Sequence, residues 1–80
     1  MKVYEDYRNL QEIYDGCMPV GKMKCVGEWK GYDKIYKKKV KYNGKIYRLA
    51  FISNGDDVND IFDYLEWIEE LDENDINKIK

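Results

Sequence analysis

Apolar residues open the chain at spacings of three and four: Val3, Tyr7, Leu10 and Ile13/Tyr14, with Glu, Asp, Arg and Gln between them. That period predicts a helix over Val3–Asp15. Gly16 then supplies a left-handed stop, and Pro19 prevents continuation. From Lys22 to Ser53 the pattern changes to that of strands. Asn43-Gly44, flanked by Val40, Tyr42, Ile46 and Tyr47, fits a two-residue type I′ hairpin turn. The turn places Tyr42 opposite Lys45, Val40 opposite Tyr47, Lys38 opposite Leu49 and Tyr36 opposite Phe51. One face then carries Tyr36, Val40, Tyr42, Tyr47, Leu49 and Phe51, with Lys38 the odd member. The other carries Lys37, Lys39, Lys41 and Arg48 around Ile35, Ile46, Ala50 and Ile52. A slip of one residue would exchange the two faces. An earlier strand over about Lys22–Trp29 completes a three-stranded antiparallel sheet, with Gly27 marking a bulge and Lys30-Gly31 a second turn.

The last third reads as another helix. Asn54-Gly55 turns the chain, and Asp56 or Asp57 caps the first turn. Val58, Ile61, Leu65, Ile68 and Leu71 form a stripe at helical spacing, flanked by Phe62. Ile76 and Ile79 anchor a short turn or further helix over Asp72–Lys80. The 80 residues make a single domain, 1–80, with no room for a second core. The expected fold class is α+β, order αβββα: a three-stranded antiparallel sheet around the Asn43-Gly44 hairpin, with an N-terminal and a C-terminal helix packed on its aromatic face. Double-stranded-RNA-binding domains share that element order, a resemblance of topology alone. Their final helix starts with lysines that grip phosphate, where this chain has Gly55-Asp56-Asp57, and a shared order conveys no function.

Charge adds what hydropathy does not. From Lys22 to Arg48 there are ten Lys/Arg against two acids, Glu28 and Asp33; from Leu49 to Lys80 there are ten Asp/Glu against two Lys. A net charge of −2 hides one positive and one negative half. On the strands, Lys37, Lys39, Lys41 and Arg48 share a face, with Lys45 at the hairpin tip and Trp29 and Tyr32 in the preceding turn. Such a face suits nucleic acid, its cations meeting phosphate and its rings stacking on bases or packing on sugar. Lysines there also serve simply to keep a sheet unpaired. Lys39 opposite Arg48 costs stability unless an anion sits between them.

The helix expected at the end carries Asp63, Glu66, Glu69, Glu70 and Glu73 beside Tyr64 and Trp67. Acids near a helix C-terminus oppose the helix dipole, and Glu66–Glu70 and Glu69–Glu73 are like charges four apart. With the apolar stripe docked on the sheet, these acids would point away from the basic face. They would then suit an external partner with a basic cleft, or head-to-tail association between copies.

Catalysis has little to work with. The chain has no His, and its only aliphatic hydroxyl is Ser53. The stretch Gly27–Gly31 lacks a phosphate-loop ending, and Cys17 and Cys25 have neither the spacing nor the companions of a zinc site. No cofactor or metal is implied, and no enzyme is expected. No apolar run approaches the ~18 residues of a membrane span. The start Met-Lys-Val-Tyr-Glu-Asp lacks a signal peptide's apolar stretch. Cytoplasmic location and reduced thiols are expected, a Cys17–Cys25 disulfide remaining open. In general style, this tiny, acidic, Tyr-rich chain resembles phage-encoded antagonists of host defence, anti-CRISPR proteins among them. Two binding functions follow as expectations: an inhibitor or adaptor that engages a nucleic-acid-handling protein through its acidic helix, by nucleic-acid mimicry, and a nucleic-acid-binding module or small regulator that uses its basic sheet face.

Overall fold

The structure, a computed structural model, describes residues 1–31, 33–53 and 62–72. The chain opens with a strand, β1 (Lys2–Tyr4), followed by a helix, α1 (Tyr7–Gly16), the one α-helix among the described residues. Four strands follow: β2 (Met18–Pro19), β3 (Lys24–Trp29), β4 (Asp33–Tyr42) and β5 (Lys45–Ser53). A 3-10 turn at Phe62–Tyr64 then leads into β6 (Leu65–Leu71). The strands form one antiparallel sheet of order β1-β6-β5-β4-β2, with β3 also paired to β4. Among the described residues no helix is long and apolar enough to cross a membrane.

The central hairpin forms in the register that its turn dictates. Tyr42 faces Lys45, Val40 faces Tyr47, Lys38 faces Leu49 and Tyr36 faces Phe51. Asn43 and Gly44 take positive φ values of 53° and 77°, as a type I′ turn requires. In the second turn Lys30 and Gly31 also take positive φ values, 52° and 94°. β3 pairs with β4 as expected, and its register shifts between Cys25 and Gly27, so Val26 is the extra residue of a bulge.

Helix α1 covers one face of the sheet. Leu10 and Ile13 pack into a cluster with Val40, Tyr47, Leu49, Phe51, Leu65 and Ile68. Each such side chain removed from water stabilises the fold by about 1.5–3 kcal/mol. The helix is shorter than its apolar period suggests. Val3 lies in β1, paired with Glu69, and the helix begins at Tyr7. Lys2 opposite Glu70 and Tyr4 opposite Ile68 give β1 a charge pair and an apolar pair across the ladder. Gly16 is the last helical residue and has no positive φ. It serves a close approach instead, since a Cβ there would meet Cε1 of Tyr42 at 2.7 Å.

The C-terminal helix and the three-stranded sheet are both overturned. Residues 65–71 form a strand, β6, beside β5 in a six-stranded sheet, so the αβββα order and its likeness to double-stranded-RNA-binding domains fall together. The physical reason is a bulge. Ala50 pairs with Trp67 and Phe51 with Leu65, which leaves Glu66 as the extra residue. The bulge lets Leu65 and Ile68, three apart, both face α1 and join the core. A strand thereby reproduces a helical spacing. Leu71 completes the apparent stripe but pairs with Ile46 on the opposite face. The expected turn and caps at Asn54–Asp57, with Val58 and Ile61, lie outside the described residues, as do Ile76 and Ile79.

Among the described residues Phe51 is the largest fully buried side chain. Phe51→Ala should lower unfolding free energy by about 3–5 kcal/mol in urea titrations. Gly44→Ala should cost about 1 kcal/mol through its positive φ alone.

Candidate polyanion-binding face

Strand alternation sends Lys37, Lys39 and Lys41 of β4, and Arg48 of β5, to the sheet face away from α1, as the hairpin register predicts. Lys39 and Arg48 are direct cross-strand partners. On the other side of Arg48 the register places Glu69 of β6. The row therefore reads Lys39–Arg48–Glu69, and the row beside it Lys37–Ala50–Trp67.

Glu69 is the one buried charged side chain, 4% exposed, among the described residues. Its carboxylate accepts three hydrogen bonds. Arg48 Nε donates to Oε1 at 2.7 Å, and Lys37 Nζ and Trp67 Nε1 donate to Oε2 at 2.7 and 2.9 Å. Burial works to raise its pKa. The bonds from Lys37 and Trp67, with the charges of Lys37 and Arg48, outweigh it and hold the carboxyl below its ordinary 4.5. Glu69 thus supplies a counter-charge to Arg48 and Lys37 from within, on the side of Arg48 away from Lys39.

Glu69 does not neutralise that face. Lys22, Lys24, Lys37, Lys39 and Arg48 line one hollow of about 250 Å³, with Val20 and Val26 as apolar wall. Two local features build it. The amides of Val20 and Gly21 both donate to the carbonyl of Lys39, at 3.0 and 3.1 Å, which carries the chain after β2 along β4. The Val26 bulge then brings β3 back so that Lys24 faces Lys37. Counting the described residues, five cations against one carboxylate leave an excess of four positive charges. Among the described residues no carboxylate pairs with Lys22, Lys24 or Lys39.

Beside the hollow, Trp29 at the end of β3 meets Trp67 of β6, ring centroids 5.7 Å apart and planes tilted by 42°. Both rings are half-buried. Lys30 Nζ lies 5.7 Å from the Trp29 ring centre, and Lys37 Nζ 5.8 Å from that of Trp67.

Of the residues expected to meet nucleic acid, Trp29, Lys37, Lys39 and Arg48 come together here. Lys41 is exposed farther along the same strand, and Lys45 stands at the hairpin tip, 4.0 Å from Glu70. Tyr32 lies outside the described residues.

The acidic residues do not form the expected flank. Asp63 and Tyr64 are exposed in the 3-10 turn, whose Phe62 packs edge-on against Tyr7 and Tyr14 of α1. Glu66 is exposed in the bulge. Glu69 and Trp67 belong to the basic face. Glu70 points to the other side, where it accepts a 2.9 Å bond from the Tyr4 hydroxyl, and together with burial it helps push the Tyr47 hydroxyl up to about 12. Glu73 lies outside the described residues.

Sequence reasoning missed Lys22 and Lys24. The signal was present: counting back from the Lys30-Gly31 turn, across one bulged residue, brings Lys24 opposite Lys37. Among the described residues no three His, Cys, Asp or Glu gather as metal ligands, and neither Cys17 nor Cys25 forms a disulfide. No protein-family model matches this chain, and no curated protein or solved structure matches it either.

Glu69→Gln should cost about 1–3 kcal/mol near neutral pH, because it strips a buried acceptor from Lys37 and Arg48. A carboxyl held low contributes stability above its unfolded value and loses it as pH falls through the folded value. Urea titrations of wild type and variant should therefore differ near pH 7 and converge as pH drops below about 4.5. A gap of constant size across that range would show that the charge of Glu69 contributes nothing.

Proposed function

We propose that this protein is a non-catalytic nucleic-acid-binding domain whose contact is the open face of its sheet. The observation that carries this reading is the hollow with its five cations, of which only Lys37 and Arg48 are engaged by Glu69. Unopposed lysines facing one another on paired strands raise the energy of the free protein, and a row of phosphates relieves it. Strand rows hold the cation stems at fixed spacing, and Glu69 fixes the heads of two of them. Little side-chain order is then lost on binding.

The first of the two expectations, an inhibitor that imitates nucleic acid, relied on carboxylates arrayed along one flank of a helix. With residues 65–71 in a strand, Glu69 and Glu70 divide between two faces, and Glu69 is consumed internally. The basic face is therefore the better-supported contact.

Neutralisation of four phosphates predicts that binding weakens about 50- to 150-fold between about 50 and 200 mM salt. Fluorescence anisotropy with labelled oligonucleotides measures that slope. Lys24→Glu combined with Lys39→Glu should abolish binding while thermal unfolding stays cooperative, since neither lysine has a carboxylate partner among the described residues. Absence of binding at the lowest salt would remove the proposal.

A further inference from the structure

Resting on the nucleic-acid reading, we infer that the ligand is single-stranded and that one of its bases stacks on the Trp29–Trp67 pair. Three observations combine. First, the ring pair and the cationic hollow are continuous, because Lys37 both lines the hollow and lies 5.8 Å from the centre of the Trp67 ring. A phosphate in the hollow and a base on the rings are then one side chain apart, as neighbouring parts of one nucleotide are. Second, each ring keeps exposed surface, and each has an ammonium above it, Lys30 over Trp29 and Lys37 over Trp67. A base arriving with its phosphate meets a ring face and a cation together, the combination that binds single strands without regard to sequence.

Third, the shape of the face disfavours a duplex. From β1 through β6, β5 and β4 to β3 the sheet is five strands across, roughly 19 Å at a strand spacing of about 4.8 Å. The major groove is about 12 Å wide and admits a two-stranded ribbon. The Trp pair lies on the flat of this broad sheet, spanning from β3 to β6 over the strands between. Bases stacked within a duplex cannot reach it. A single strand lays its phosphates over Lys24, Lys37 and Lys39 and turns a base down onto the indoles.

The test compares three probes on the full chain: a ten-nucleotide oligothymidylate, a duplex of the same length, and inorganic polyphosphate. The single strand should bind at least tenfold more tightly than the duplex and quench tryptophan fluorescence. Polyphosphate should bind without quenching. Trp29→Leu should weaken the oligothymidylate by about 5- to 150-fold, the worth of one stacked base, and leave polyphosphate binding unchanged, which also shows that the variant folds. Equal affinity for all three probes, or a Trp29→Leu variant that binds the oligothymidylate normally, would overturn this inference and leave the cationic face standing. Preference for the duplex would overturn it likewise. Failure of every probe to bind at low salt would overturn the nucleic-acid reading itself.

Discussion

The structure turns on one carboxylate held between two cations. β4 and β5 bring Lys39 against Arg48, and β3 and β4 bring Lys24 against Lys37. Like charges so placed oppose strand pairing. Glu69, reaching in from β6, binds Arg48 and Lys37 at 2.7 Å each and is braced by the Trp67 indole. Burying a lone carboxylate costs several kcal/mol. Three hydrogen bonds to a charged acceptor, at about 1.5–3 kcal/mol each, offset that cost with little left over. The larger consequence is therefore positional. Glu69 ties β6 to β5 and β4 in one register and holds two cation heads in place at the edge of a hollow that stays positive.

Among the described residues, the two faces of the sheet differ in that α1 covers one of them. Towards α1 lie the aromatic rings and aliphatic residues of the core. Away from it, Ala50 is fully buried between Lys37 and Trp67 in the register, and Trp29 adds a second indole. The open face is thus half core and half charge. Lysine and arginine stems provide apolar cover while their heads remain available to solvent or ligand. An apolar floor with fixed cations at its rim accepts a ligand that is itself part flat ring and part anion.

Much of this was legible in the residues. Asn43-Gly44 set the central register, and from it came the core face, the basic face and the Lys39–Arg48 conflict, all of which the structure bears out. The end of the chain was not legible, and the cause is specific. One bulged residue, Glu66, shifts Leu65 onto the same side as Ile68, so a strand imitates helical spacing. The like-charge penalties expected of a helix were a warning that the period had been misread. In a strand, residues four apart are no longer neighbours as they are on a helix, and Glu66 and Glu70 of β6 lose that helical juxtaposition. At the other end, Val3 continued the period of α1 by coincidence, while its neighbours Lys2 and Tyr4 found partners in Glu70 and Ile68. Both errors share one origin: long-range pairing with β6 or β1 leaves no mark on local periodicity.

The placement of β6 beside β5 is the claim on which the site depends, and a proton NOE spectrum tests it most directly. Backbone contacts linking Arg48 with Glu69 and Leu49 with Ile68 are expected, with strong sequential contacts along residues 65–71. A run of contacts from each residue to the third beyond it over that segment, with none to β5, would contradict the strand and with it the internal counter-charge.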